Sequence, residues 1–347
     1  MPKKTVLVTG TGGRSVGAGI LHALLRCGEE ISNRWNIIAA DANVFSWGLY
    51  KTKSRVLLPH ASQVEYLKVV LKTVRDYGIE AIVPGSQSEI EILSEKRNEL
   101  GGAVLIANRH ELIPLMMDKF RIEKTLNDLG LPFIETKPID QWESIAEKYG
   151  FPLIVKPTVN TGASRGVCII ADEREIKQLL NDIEMTNLPC VQPYLGTAED
   201  EYTVGVLTSR QGKIIDSIVM RRELTGLSLQ NSRKIKGVLC AISSGYSQGY
   251  IIKHPEVQSF CEDLAVKLGS CGPLNIQLRM HHQTPYVFEI HPRFSGTTPI
   301  RAEVGFNEVD LLLRNFLNDE QFGRINYTHN VAAIRAFEHV IVPINQM

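Results

Sequence analysis

Residues 275–295 read NIQLRMHHQTPYVFEIHPRFS and bring a carboxylate, side-chain amides, imidazoles and an arginine into one short stretch. Two runs of alternating character, 275–280 and 286–291, flank the polar stretch from His281 to Pro285, the pattern of antiparallel strands joined by a loop. With Gln283 at the midpoint, Gln277 pairs with Glu289 and Asn275 faces His291. Successive side chains on a strand point to opposite faces, so these four groups share one face, and Ile276, Leu278, Phe288 and Ile290 share the other. Arg293 follows at the strand end, beside the carboxylate. Mg²⁺ takes carboxylate and amide oxygens together with substrate phosphates, and arginine offers phosphoryl oxygen a fixed fork of donors. The predicted chemistry is that of phosphate and metal; a polar quartet on a solvated sheet face is the plain alternative.

A second basic position has a similar logic. Lys156 ends the short apolar strand FPLIVKP, where a lysine is costly to bury without a partner such as phosphate. The stretch NTGASRG follows, with Gly162, Ser164 and Gly166 in a glycine-rich hairpin able to close over phosphates through backbone donors and the Ser164 hydroxyl. Flexible surface hairpins look alike, and it is the lysine immediately before this one that favours a clamp.

The segment from Glu289 to Arg293, EIHPR, preceded by NIQ at 275–277, resembles the metal-binding strand pair of the ATP-grasp superfamily, usually N-x-Q followed by E-x-N-P-R. The order of the other motifs agrees: Lys119 opens a helix in MDKFRIEKTLNDLG, Lys156 and its glycine-rich turn come next, and CVQPYLGTAEDEYTV precedes the hairpin. The resemblance covers about residues 116 to 310. It is nearest to the branch holding the synthetase domains of carbamoyl-phosphate synthase and stand-alone carboxylate-amine ligases.

The resemblance implies an ATP-dependent ligase. MgATP would lie between a flexible lid and the hairpin-bearing subdomain, a substrate carboxylate would take the γ-phosphate, and an amine would displace it. Lys119 becomes an ATP-contacting base, in a helix-start position that does not suit a cation. Gln192, Tyr194 and Leu195 belong to the connecting strand whose backbone meets adenine. Pro193 stands where an acid is usual and has no N–H, so the contact falls to the backbone of Tyr194 or Leu195. Glu201 matches the acid that binds ribose hydroxyls. Gln277, Glu289 and His291 correspond to the metal site, with Arg293 neutralising charge on the transferring phosphoryl group. Histidine at 291 replaces the usual asparagine. It could admit a softer ion such as Mn²⁺, donate to phosphate, or leave Gln277 and Glu289 to hold Mg²⁺ with water. Glu89, Arg222, Gly296 and Arg301 are candidates for substrate contact. For Glu89 the competing reading is an ordinary first-turn helix acid, for Arg222 a solvated strand end, and for Arg301 a structural salt bridge. Phosphorylation of bicarbonate or carbamate, and nucleotide binding without turnover, are the alternative functions. Dimers are common among the proteins resembled.

These groups need a scaffold. The first hundred or so residues alternate strand and helix patterns, from VLVTG through WNIIAAD to EAIVPG, which predicts a parallel sheet. Gly10, Gly12, Gly13, Gly17 and Gly19 follow the first strand and invite a dinucleotide-binding reading, but Ser15 stands where the third glycine of G-x-G-x-x-G belongs. The expected fold is mixed α/β and α+β: a Rossmann-like preATP domain over 1–115, then a two-subdomain ATP-grasp fold with its lid at 116–190 and its C-terminal subdomain at 191–347. Composition agrees with an ordinary globular protein of 347 residues, 44% hydrophobic and 22% charged. Thirty-eight basic residues balance 38 acidic ones, so neither nucleic acid nor membrane is drawn by net charge. The six cysteines form no CxxC pair, which leaves no zinc framework. The opening MPKKTVLVTG enters a strand without a signal-peptide core, and a cytoplasmic location is expected.

Overall fold

The computed structural model describes residues 3–158, 164, 166–182 and 189–347. Strands β1 (Lys4–Val8), β2 (Trp35–Asp41), β3 (Ser54–Leu57), β4 (Ala81–Val83) and β5 (Val104–Leu105) form a parallel sheet in the order β3-β2-β1-β4-β5. Its central strands are continuous apolar runs because both faces are covered. Val6 and Val8 pack with Ile20, Leu21 and Leu24 on one side, and Leu7 packs with Ile38, Val70 and Ile82 on the other.

The glycines after β1 have steric reasons. A side chain at Gly17 would lie 2.4 Å from the carbonyl oxygens of Thr9 and Gly10, so only glycine lets the helix Val16–Leu25 start this close to the strand. Ser15 is that helix's N-cap, accepting from the Ala18 N–H at 3.1 Å.

Strands β6 (Lys137–Pro138), β7 (Leu153–Lys156), β8 (Cys168–Ile170) and β9 (Cys190–Pro193) make an antiparallel sheet in the order β6-β9-β7-β8, with its own core around Trp142, Ile145, Leu153 and Val191. This small sheet therefore runs to residue 193, beyond the expected boundary at 190. The large antiparallel sheet contains β10 (Glu201–Thr208), β11 (Ile214–Arg222), β14 (Gly249–Ile252), β15 (Gly272–His281), β16 (Thr284–His291) and β17 (Val331–Ala333), in the order β16-β15-β10-β11-β14-β17. A separate ribbon pairs β12 (Leu229–Ile235) with β13 (Val238–Ser243).

One face of the large sheet is covered by the helix Pro255–Lys267 and by residues 112–133, and the other by the helices Thr298–Glu303 and Glu308–Asn318. The second layer is continuous with the parallel sheet: Val6, Ile20 and Leu24 share a buried cluster with Leu207, Met220, Phe306 and Leu312. The amino-terminal unit is thus fastened to the large sheet by apolar burial, which fixes the ends of its strands relative to the β15–β16 hairpin.

The hairpin pairs Gln277 with Glu289 and Asn275 with His291, as the alternation predicts. Its turn differs from the expected loop. Beyond a bulge after Gln277 the partners become Leu278 and Val287, and the strands close on His282 and Gln283, both with positive φ (47° and 63°). The tight turn and the bulge offset each other, so the register at the polar end is unchanged. The bulge moves one side chain: Val287 takes the core position, and Phe288, expected beside Ile276 and Leu278, lines the polar face with Glu289.

Candidate functional site

A cleft of about 740 Å³ including its open mouth lies where the small sheet faces the large one. Lys156 enters it from the end of β7, Lys119 from the start of the helix Lys119–Asp128, Gln192 from β9, and Gln277, Phe288 and Glu289 from the hairpin. Ser164 also lines it, and Gly166 adopts a φ of +74°, while Gly162 lies outside the described residues. Lys119 stands at a helix start capped by Asp118, whose carboxylate accepts from the N–H groups of Phe120 and Arg121 at 3.0 and 3.1 Å. That cap supplies the anion the helix end requires and frees the lysine to bend into the cleft toward the Thr158 carbonyl, 3.5 Å away.

Lys156 is buried, and its Nζ donates to the Phe288 carbonyl at 3.3 Å. Burial pushes its pKa down to about 8, with the like charges of Lys119 and Arg279 acting in the same direction and Glu289 against it. Lys119 is lowered as well, chiefly by burial. Burial would raise Glu289, but His291, Lys156 and Lys119 outweigh it and hold the carboxyl below its usual range. The Arg293 guanidinium, lowered by burial and opposed by Glu289, donates through Nε to Gln87 Oε1 at 3.3 Å. That bond ties the end of β16 to the carboxyl end of β4 in the parallel sheet, near which Glu89 lies. Glu89 is buried and completes a capping box with Ser86, and it accepts from Tyr66 at 3.2 Å. Burial raises its pKa. The first-turn role is therefore visible for Glu89.

The cleft floor holds a buried charge triad. Glu201 Oε1 accepts from Arg222 at 2.6 Å, and Oε2 accepts from Arg279 Nε and Nη2 at 2.9 and 2.7 Å. Arg222 also donates to Gln277 Oε1 at 3.0 Å and to the Ser243 hydroxyl. Its Nε is buried with no acceptor among the described residues. Arg222 is thus a buried strand end rather than a solvated one. Arg279 lies over the Tyr194 ring, 3.9 Å from its centroid, and 5.4 Å from that of Phe288. The sequence motifs do not single out Arg279, although its spacing of two from Gln277 puts it on the same strand face; the structure sets it directly opposite Glu201.

Two expectations are modified. The Tyr194 N–H donates to the Pro152 carbonyl at 3.1 Å, and the Tyr194 hydroxyl accepts from the Ala241 N–H at 2.9 Å. Of the two backbone donors considered for adenine, Tyr194 is therefore engaged within the sheet, and Leu195 is buried beside it. Arg301 lies away from the cleft. Its guanidinium is 1% exposed and pairs with Glu308 at 2.7 Å and with Asn275 at 2.8 Å, in space that a side chain at Gly205 would fill. This is the structural salt bridge. Asn275, which also accepts from Thr203 at 3.0 Å, belongs to that buried network.

Few side chains that could hold a metal converge here. Among the described residues no three His, Cys, Asp or Glu side chains gather to hold an ion by themselves. Glu289 Oε2 lies 3.4 Å from His291 Nε2, and the surrounding lysines and arginines make the cleft cationic. One carboxylate and one amide, among cations that attract phosphate, suit Mg²⁺ carried with a nucleotide and its waters rather than an all-protein cage.

The family model described as "ATP-grasp in the biosynthetic pathway with Ter operon" matches residues 188–340. A carbamoyl phosphate synthase large chain from Pseudomonas syringae pv. tomato is 21% identical over 338 residues, covering 94% of this chain and 30% of that protein. An arginine-specific large chain from Geobacillus stearothermophilus is 24% identical over 313 residues, covering 86% of this chain and 28% of that one. The chain spans less than a third of the length of these two relatives. The ADP complex of an N5-carboxyaminoimidazole ribonucleotide synthetase has a TM-score of 0.68 at 13% identity, covering 96% of this chain and 81% of that one. The biotin carboxylase domain of Hydrogenobacter thermophilus 2-oxoglutarate carboxylase, solved with MgADP, ADP and bicarbonate, has a TM-score of 0.64 at 17% identity, covering 94% and 72%. These structural likenesses are likenesses of fold. No helix among the described residues is long and apolar enough to cross a membrane.

Proposed function

Because the chain belongs to the ATP-grasp superfamily, we propose that it is an ATP-dependent ligase that activates a carboxylate as an acyl phosphate for attack by an amine. The observation that carries the reading is the convergence of Lys119, Lys156, Gln277 and Glu289 in one cleft between the small sheet and the hairpin. The small sheet acts as the lid. Lys119 and Lys156 bind nucleotide phosphates, which add charged acceptors to the carbonyl oxygens of Thr158 and Phe288 that these lysines already meet. Gln192 and the backbone at Leu195 lie toward the base, with Ser164 and the glycine-rich turn over the phosphates. Glu289, with Gln277, holds Mg²⁺, which when bound supplies charge neutralisation between phosphates. Arg293, four positions after Glu289, orients and neutralises the transferring group.

In the proposed reaction a carboxylate oxygen attacks the γ-phosphorus and the bond to the ADP oxygen breaks. The amine nitrogen then attacks the acyl carbon, phosphate departs, and the nitrogen releases a proton. No covalent enzyme intermediate is needed. The test is thermal stabilisation by MgATP, MnATP and NAD(H), compared between the wild type and Glu289→Ala. The reading expects stabilisation by metal-ATP that the substitution abolishes; stabilisation by NAD(H) alone overturns it. A second reading, nucleotide binding without turnover, draws on the Glu201 carboxylate, whose two oxygens are both held by arginines. MgATP binding without ADP release across a broad acid-and-amine panel would favour it.

A further inference from the structure

Arg293, just beyond β16, is held at two of its three nitrogens. Its Nη1 donates to the Phe294 carbonyl at 2.9 Å, and its Nε donates to Gln87 Oε1 at 3.3 Å. Phe294 is buried in the core shared with the amino-terminal unit, so its carbonyl is a fixed acceptor. Nη2 makes no hydrogen bond among the described residues. The acceptor at Nε comes from the other unit, 206 positions away in sequence. Gln87 opens the helix Gln87–Glu95, whose start is locked: Ser86 Oγ accepts from the Glu89 N–H at 3.4 Å, and Glu89 Oε2 accepts from the Ser86 N–H at 3.2 Å. Gly85 lets this turn lie against the first strand, since a side chain there would come 2.2 Å from the Thr9 carbonyl oxygen. The backbone of Gln87 is therefore placed by the parallel sheet.

Its side chain is placed by hydrogen-bond chemistry. Gln87 Nε2 donates to Glu91 Oε1, one helical turn on, at 3.1 Å. An arginine only donates and an ionised carboxylate only accepts, so an amide with one end of each kind joins them in one orientation. Glu91, which is exposed, takes the NH2 end and leaves the carbonyl oxygen for Arg293.

We propose that Gln87 is a positioning residue for phosphoryl transfer, and that the chain of bonds from Glu91 through Gln87 to Arg293 lets the amino-terminal unit aim the arginine. The inference rests on the ligase reading, in which Arg293 meets the transferring group. With Nε held by Gln87 and Nη1 by Phe294, Nη2 and the second Nη1 hydrogen are left to take phosphoryl oxygens as a pair. Without Gln87 the guanidinium keeps its charge and loses its direction, and a misplacement of about 1 Å at such a site costs up to about 100-fold.

The test uses the full chain with MgADP and aluminium fluoride, which together imitate a phosphoryl group in transfer and need no knowledge of the acceptor. In the wild type, aluminium fluoride should tighten MgADP binding in calorimetric titration. Gln87→Met keeps the stem and removes both polar ends. It should weaken that tightening about 10- to 100-fold and leave the Kd for MgADP alone within about threefold, which shows that the cleft is intact. Arg293→Lys keeps the charge but has no Nε for Gln87 to hold, so adding Gln87→Met to it should have no further effect. Glu91→Lys separates charge from aim by sign. Added positive charge alone would draw the anion in, whereas a lysine that takes the amide oxygen turns its NH2 end on Arg293 and should weaken the tightening about tenfold. Glu91→Gln, whose amide oxygen can still accept, should behave as the wild type. A Gln87→Met protein that responds to aluminium fluoride as the wild type does overturns the proposal. So does a Gln87→Met loss that persists undiminished beside Arg293→Lys, or tighter binding by Glu91→Lys. A wild type that fails to bind MgADP, or binds it with no response to aluminium fluoride, overturns the ligase reading first and the role of Gln87 with it.

Discussion

Replacing Lys156 by methionine should make the ligand-free protein more stable and the nucleotide complex weaker. In the fold the lysine's pKa falls from 10.5 to about 8, and at 1.36 kcal/mol per pH unit this corresponds to about 3 kcal/mol of penalty on the buried charge. Methionine keeps the apolar stem and removes the charge. At pH 7 the ligand-free Lys156→Met protein should therefore gain about 2 to 3 kcal/mol in urea denaturation. The sign with pH follows from proton counts. Between about 8 and 10.5 the unfolded chain holds the Lys156 proton and the folded chain does not, so wild-type stability should rise with pH across that window. The same rise should be missing in the variant. Phosphate reverses the balance, because it favours the charged amine. MgATP binding should then take up a proton above pH 8, and affinity should fall by up to tenfold per pH unit there. Losing a charge-assisted hydrogen bond of about 1.5 to 3 kcal/mol should weaken MgATP binding by the variant about 10- to 100-fold at pH 7. Calorimetric titration from pH 7 to 9.5 measures this. A variant that is less stable than the wild type without ligand, or that binds MgATP equally well, would refute the reasoning.

Other substitutions probe the scaffold. Glu201→Gln leaves Arg222 and Arg279 buried without their shared carboxylate and should cost about 3 to 5 kcal/mol in urea denaturation; a loss below about 1 kcal/mol would mean the triad is not a stability element. Glu89 has its pKa raised chiefly by burial, so the folded chain holds its proton above the ordinary carboxylate value and stability falls as pH rises through that window. Glu89→Gln should flatten that slope, and an unchanged slope would assign it to another group. Gln283→Gly, at a φ of 63°, should stabilise the hairpin by about 0.4 to 1 kcal/mol, with a lower denaturation midpoint as the contrary result.

The parallel sheet was legible because unbroken apolar strands alternate with helix patterns, and the hairpin register was legible because one face had to be greasy. The turn was not, since His282 and Gln283 are not the usual residues of a two-residue positive-φ turn. Their signal is weak, and the sequence suggests a longer loop. Phe288 departs from its expected face because a bulge reverses the facing of one residue, and no periodicity rule contains it. The sharing of one core by the amino-terminal unit and the helix Glu308–Asn318 was also hidden, because each element's pattern shows that it has a buried face and not what covers it.

The bulge and the triad together explain why the polar face can be dense in charge and still ordered. The period-two rule places Asn275, Gln277 and Arg279 on one face of β15, and three polar groups in a row on a buried face would each require a partner. Asn275 finds Arg301 and Thr203, Gln277 finds Arg222, and Arg279 finds Glu201 directly opposite on β10. The partners come from three separate segments, β10, β11 and the helix Thr298–Glu303, so none could be assigned from local sequence. The bulge then sets Phe288 on the same side, where its ring flanks the Arg279 guanidinium. The cations at this end are paired with a carboxylate, and under the proposed function the two lysines across the cleft, whose pKa values are lowered by burial, are the groups whose electrostatics an incoming polyphosphate would complete.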